Sequence, residues 1–246
     1  MPAYAAFLVI HIVAGCVALL AFWSAAMLRK GSPRHRAVGK VFLLAMCGIL
    51  ASGVVLAGQR FLDGRTLAGV FLSYLLVITA QAMWMSWRAV TDKRDWRAMV
   101  ARRGWRALAL ATLASGVGVL VVGAVQGVPL FMGFSLVGIV AGAQMVVFAR
   151  RGPQRANWHV VQHYQGVLGC GVATHIAFLT IALRPMWVWL QAHTAVPAAL
   201  VELFPWFAPL AVAVCAGVWL DRKYARPRRA APVSPAPLSA ASRASS

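Results

Sequence analysis

The sequence predicts an all-α fold, a polytopic membrane protein built as a bundle of seven transmembrane helices with its N-terminus outside and its C-terminus inside. Three observations predict it. Of the 246 residues, 61% are hydrophobic and only 12% charged, where a soluble domain carries roughly a quarter charged residues; the mean hydropathy is +0.74. Seven apolar runs reach or approach the ~17 to 25 residues that cross a hydrocarbon core. The 24 Lys and Arg residues fall almost entirely on alternate connections between those runs.

The first run covers residues 3–28. No basic residue precedes it and Arg29 and Lys30 follow, the reverse of a cleaved signal peptide, so a retained first helix is expected. The second and third cover 41–58 and 66–87. Residues 107–125 and 128–149 form one apolar stretch broken only at Gln126, Gly127 and Pro129, which reads as two helices joined by a turn. The sixth run is 159–183. The seventh, 204–220, is the shortest, with Pro205 and Pro209 placed in its first turns, where proline costs a helix least.

Orientation follows from the basic residues. The connections after the first, third and fifth runs and the C-terminal tail hold 5, 7, 3 and 6 of them; the N-terminus and the other connections hold 0, 2, 0 and 1. The positive-inside rule then places the tail in the cytoplasm, which requires an odd number of spans. The same segregation gives the net charge of +19 a membrane meaning rather than a nucleic-acid one. Anionic lipids of the cytoplasmic leaflet are the expected partner, at about 1 kcal/mol per basic residue near the surface. Residues 1–221 form the transmembrane domain, and 222–246, rich in Arg, Pro, Ala and Ser, read as a disordered tail.

Tryptophans 84, 87, 105, 158 and 219 fall at the expected cytoplasmic ends and 187, 189 and 206 at the outer ones, the positions of interfacial belts. Cys16, Cys47, Cys170 and Cys215 lie inside apolar runs without a CxxC pair and read as small packing residues.

All five acids fall in connections or at a helix end, and no Lys or Arg lies deep in a run. That removes the intramembrane carboxylate of a proton relay. Phosphate loops, nucleophile elbows and the HExxH zinc signature are absent as well. Histidine carries the remaining chemistry. His11 is eight residues into the first run and His175 eight residues before the end of the sixth. Each is therefore expected roughly 12 Å from the outer side at 1.5 Å per residue. His159 and His163 share one face at i and i+4 as the sixth run opens, and His35 lies in the first basic connection.

Facing imidazoles on neighbouring helices are a standard way to hold heme iron. The sharpest reading is a b-type heme between His11 and His175, with His163, His159 and His35 as a second group near a quinone or other redox partner. The plainer reading is that these histidines hydrogen-bond within the bundle, each worth on the order of 1 kcal/mol. The twelve residues from His163 to His175 leave the two about 120° apart around a 3.6-residue helix, which is poor for two hemes on one face. Gln81 and Gln144, polar residues inside apolar runs, would line a path in a different class of protein, a small-molecule or lipid permease. A third class is a non-catalytic partner protein recruited through its basic segments. Gly138 and Gly142 form a small-xxx-small pair fit for close packing or for a homodimer face.

The segment HIVAG from His11, the basic RKGSPRHRAVGK with His35 and Gly39, and the Met-containing run after it resemble a family of bacterial multi-pass membrane proteins, the domain of unknown function 2306 type. The resemblance is clearest over 11–46 and looser around His163 and His175. It implies a bacterial inner-membrane protein and directs attention to His11, His35, His163 and His175; it brings no activity or cofactor with it.

Overall fold

The computed structural model describes residues 2–224. The expected tail lies outside the described residues from 225 onward, while Arg222, Lys223 and Tyr224 close the last helix. The described residues form helices and no strand: α1 Pro2–Met27, α2 Pro33–Leu62, α3 Thr66–Thr91, α4 Trp96–Ala101, α5 Arg103–Gln126, α6 Pro129–Arg151, α7 Trp158–Ala177, α8 Arg184–His193 and α9 Ala198–Tyr224. A five-residue π-helical stretch, Phe178–Ala182, prolongs α7. Seven of these helices are long and apolar enough to cross a membrane. They are α1, α2, α3, α5, α6, α7 with its extension, and α9, so the seven-span bundle expected from the sequence is present.

Local chemistry sets the helix ends. Ser32 caps α2 by accepting from the His35 N–H at 3.1 Å, with Pro33 preset for the first turn. Gly127 takes a left-handed conformation (φ 65°) and Pro129 opens α6, giving the turn expected between the fourth and fifth runs. Two helices were not expected. In the basic connection after α3, Asp95 accepts from the N–H groups of Arg97 and Ala98 and starts α4; Asp92 pairs with Arg88 and with Arg102 at 3.2 Å and ties that segment to α3. The segment before the last span contains α8. The last span also begins earlier than expected, at Ala198, so Pro205 and Pro209 lie in its interior rather than its first turns. The carbonyls of Val201 and Pro205 consequently receive no α-helical bond from the proline nitrogens.

α3 is the centre of the bundle, packed against α2, α5 and α7 and touching α6, while α1 lies mainly on α2 and α9 on α7. Close approach depends on missing side chains. A Cβ on Gly116 of α5 would stand 2.8 Å from the Ile139 nitrogen of α6, and one on Gly142 would stand 2.7 Å from the Leu113 nitrogen of α5. The Gly138 and Gly142 pair is thus used inside the chain.

Two of the expected belt tryptophans are core residues. Trp105 and Trp158 are buried in a cluster with Met85, Met99, Ala109 and Met145, whereas Trp87 and Trp219 are exposed as belt residues should be. An indole at a helix end suits both environments. All four cysteines are free, and Cys170 is fully buried among Ala18, Ala45, Met46 and Ala82.

Candidate functional site

His11 and His175 are held by different partners. The Ser52 hydroxyl donates to the Gly48 carbonyl of its own helix at 2.6 Å. The imidazole Nδ1–H of His11 therefore donates to Ser52 Oγ, at 2.9 Å, and the ring also lies within hydrogen-bonding reach of the Ile49 backbone. In His175 both nitrogens are engaged. The Trp23 indole N–H donates to Nε2 at 3.0 Å, so Nδ1 carries the proton it donates to the Gly171 carbonyl at 2.7 Å. Its ring packs edge-on against Phe22 and Trp23, 5.4 and 5.7 Å between centroids.

Those contacts correct the expected equal depth. Phe22 and Trp23 lie eleven and twelve residues beyond His11 on α1, roughly 17 Å along the axis. Side chains of one helix lean the same way along it, so the lean does not bring the Phe22 and Trp23 rings, or His175 packed against them, to the level of His11. A metal between two imidazole nitrogens needs them about 4 Å apart, at roughly 2 Å per bond. The two residues do not fit around one iron here.

The second histidine group does assemble, at the basic end of the bundle. His163 Nδ1–H donates to the Ser86 carbonyl of α3 at 2.9 Å, and His163 lies within electrostatic reach of His35, Lys30 and His159. His35 donates to the Ala25 carbonyl at 3.1 Å, and the Lys30 ammonium donates to the carbonyls of Ala25 and Ala26 at 3.0 and 2.7 Å. The His35 and Lys30 side chains close the C-terminal end of α1, where such donors satisfy the last carbonyls. Burial first, and the Lys223 ammonium second, hold Lys30 below the ordinary lysine range. His159 stacks its edge on Trp158. Among the described residues no three His, Cys, Asp or Glu side chains come close enough to share a metal ion.

The other polar feature is a crevice between α3, α6 and α7. α7 approaches α3 so closely that a Cβ on Gly166 would stand 2.5 Å from the Ala82 carbonyl oxygen and 2.7 Å from the Ser86 nitrogen. His163 adds its bond to Ser86 in the same place. α6 and α7, by contrast, diverge from their short connection and do not pack along one another. The space left holds four carboxamides: Gln81 from α3, Gln144 from α6, and Gln162 and Gln165 from α7. Ala82, Met85, Ala141, Met145 and Gly166 complete a cavity of about 110 Å³.

Among the described residues the four carboxamides make no hydrogen bond to another protein group, and their polar atoms stay accessible. Gln81 is 9% exposed, and Gln144 and Gln165 are exposed. Each carboxamide offers two donors and an acceptor without charge. A larger apolar groove of about 450 Å³ between α1 and α2, lined by side chains such as Val9, Ile10, Val13 and Leu44, offers no polar group. Sequence reasoning singled out Gln81 and Gln144. It passed over Gln162 and Gln165, whose signal was the i, i+3 pair of carboxamides next to Gly166.

Comparison of the chain with family models, with curated proteins and with solved structures finds no match.

Proposed function

We propose that this chain is a multi-pass protein of the bacterial inner membrane that binds and passes a small, uncharged, hydrogen-bonding molecule through the crevice between α3, α6 and α7. The observation that carries the reading is the convergence of four carboxamides without protein partners. Polar groups inside a membrane are costly unless satisfied, and such residues mark binding sites and pathways. The absence of any charged side chain among the lining residues favours a neutral solute. Positive-inside orientation puts the basic end, and so the nearer end of the crevice, in the cytoplasm against anionic lipid. The resemblance over 11–46 agrees with a bacterial inner membrane.

The test is stopped-flow light scattering of proteoliposomes challenged with acetamide or glycerol. Wild-type protein should speed solute entry over protein-free vesicles, and Gln81→Leu with Gln144→Leu should return the rate to the protein-free value. Undiminished flux in the double variant, or no wild-type flux, would overturn the reading.

Heme-based electron transfer ranks behind it, because both nitrogens of His175 are occupied and His11 stands at another level. A dithionite-reduced minus oxidised spectrum of protein expressed with ample heme should show no stoichiometric b-type α band. An α band abolished by both His11→Ala and His175→Ala would restore the heme reading.

A further inference from the structure

The crevice has its mouth in the lipid rather than in the water. Gln144 shares a face of α6 with Leu136, Val140 and Val147, at i−8, i−4 and i+3, which are 55%, 52% and 47% exposed. That is the stripe that meets acyl chains. Gln144 lies seven residues before the end of α6 and Gln165 seven after the start of α7, each roughly 10 Å from the basic end. The mouth therefore opens sideways, below the level of charged headgroups on that side.

Volume and charge restrict what can enter. About 110 Å³ holds several waters and falls well short of the ~300 Å³ at which pockets for whole drug-sized ligands begin. A small polar head fits there while an attached hydrocarbon tail stays in the bilayer. A charged head at that depth carries a large penalty, and the crevice has no ionic partner to offset it. Carboxamides supply both donors and acceptors, so hydroxyl or carbonyl heads are equally served.

We propose that the crevice takes a membrane-borne amphiphile with a small uncharged hydrogen-bonding head, such as a diacylglycerol, entering laterally between α6 and α7. The inference rests on the reading of the carboxamide crevice as a binding site and adds the class of ligand and its route.

The experiment is native mass spectrometry of the full chain released from detergent with dioctanoylglycerol, and with the anionic dioctanoyl phosphatidylglycerol as comparison. One tightly bound dioctanoylglycerol is expected, with occupancy lowered at least tenfold in Gln144→Met with Gln165→Met, a pair that keeps side-chain length. Phosphatidylglycerol should bind without regard to those substitutions. The inference is overturned if dioctanoylglycerol occupancy is the same in the variant, or if the anionic lipid is the one that depends on the glutamines. If that happens while acetamide flux still requires Gln81 and Gln144, only the lateral lipid route falls. If the flux is also absent, the binding site itself falls with it. Should Met at both positions impair folding, Gln165→Asn alone, which retains the carboxamide but withdraws it, must still weaken dioctanoylglycerol selectively.

Discussion

Replacing Gly166 by Ala should lower stability by roughly 3 kcal/mol, the upper part of the usual range for overpacking. The added Cβ would lie 2.5 Å from the Ala82 carbonyl oxygen, 2.7 Å from the Ser86 nitrogen and 2.9 Å from Ser86 Cβ. Two of those atoms are helix backbone, so no side chain can swing aside; α3 and α7 must separate. The separation also stretches the bond from His163 to the Ser86 carbonyl and moves Gln162 and Gln165 away from Gln81. In a thermal melt of detergent-solubilised protein the midpoint should fall by roughly 6–12 °C, taking about 2–4 °C per kcal/mol for a chain of this size. Gly118→Ala supplies the contrast, because a Cβ there meets nothing within 4 Å. Alanine's better helix propensity should leave that variant unchanged or slightly more stable. Equal melts for the two alanine variants would contradict the packing account.

Tyr74→Phe should cost ~1–3 kcal/mol although it removes one oxygen atom. The Tyr74 hydroxyl donates to the Phe134 carbonyl at 2.7 Å and accepts from the Gly138 N–H at 2.9 Å. Those two backbone groups are i and i+4 on α6, so the hydroxyl stands between the donor and acceptor of one helical turn. Tyr74 is 2% exposed, and no water replaces it cheaply inside a bilayer. Gly138 belongs to the same device: a Cβ there would stand 2.8 Å from the tyrosine ring and 2.9 Å from its hydroxyl. Gly138→Ala should therefore be at least as damaging as Tyr74→Phe, and the double variant should cost less than the sum. Strict additivity in chemical or thermal melts would show that the two residues do not act together.

Much of the architecture was legible because run length and punctuation act locally. The split at Gln126, Gly127 and Pro129 marked a turn from residue chemistry alone. What escaped depended on neighbours. α4 is six residues inside a basic connection, made by the Asp95 cap and held by Asp92 to Arg88 and Arg102; none of this has an apolar period. Trp105 and Trp158 read as belt residues because lipid and protein interior are equally apolar, so hydropathy cannot separate the two faces of a membrane helix. The equal depth of His11 and His175 failed for a related reason. Counting residues from the ends of a run ignores how α1 and α7 are offset and which way each ring leans.

Within the crevice, Gln81 and Gln144 stood out as carboxamides in otherwise apolar sequence. Gln162 and Gln165 did not, because WHVVQHYQ at the start of α7 is polar enough to pass for an interfacial turn. That all four meet is a consequence of the α3 to α7 contact at Gly166 and of the divergence of α6, both properties of packing.

The measurement that bears most directly on the crevice is an acetamide titration followed by NMR of the glutamine side-chain amides. The chain has eight glutamines, each assignable by substitution. Gln81, Gln144, Gln162 and Gln165 should shift together along one saturating curve, while Gln59, Gln126, Gln154 and Gln191 stay in place. Shifts spread over all eight, or confined to the four outside the crevice, would contradict a ligand site between α3, α6 and α7.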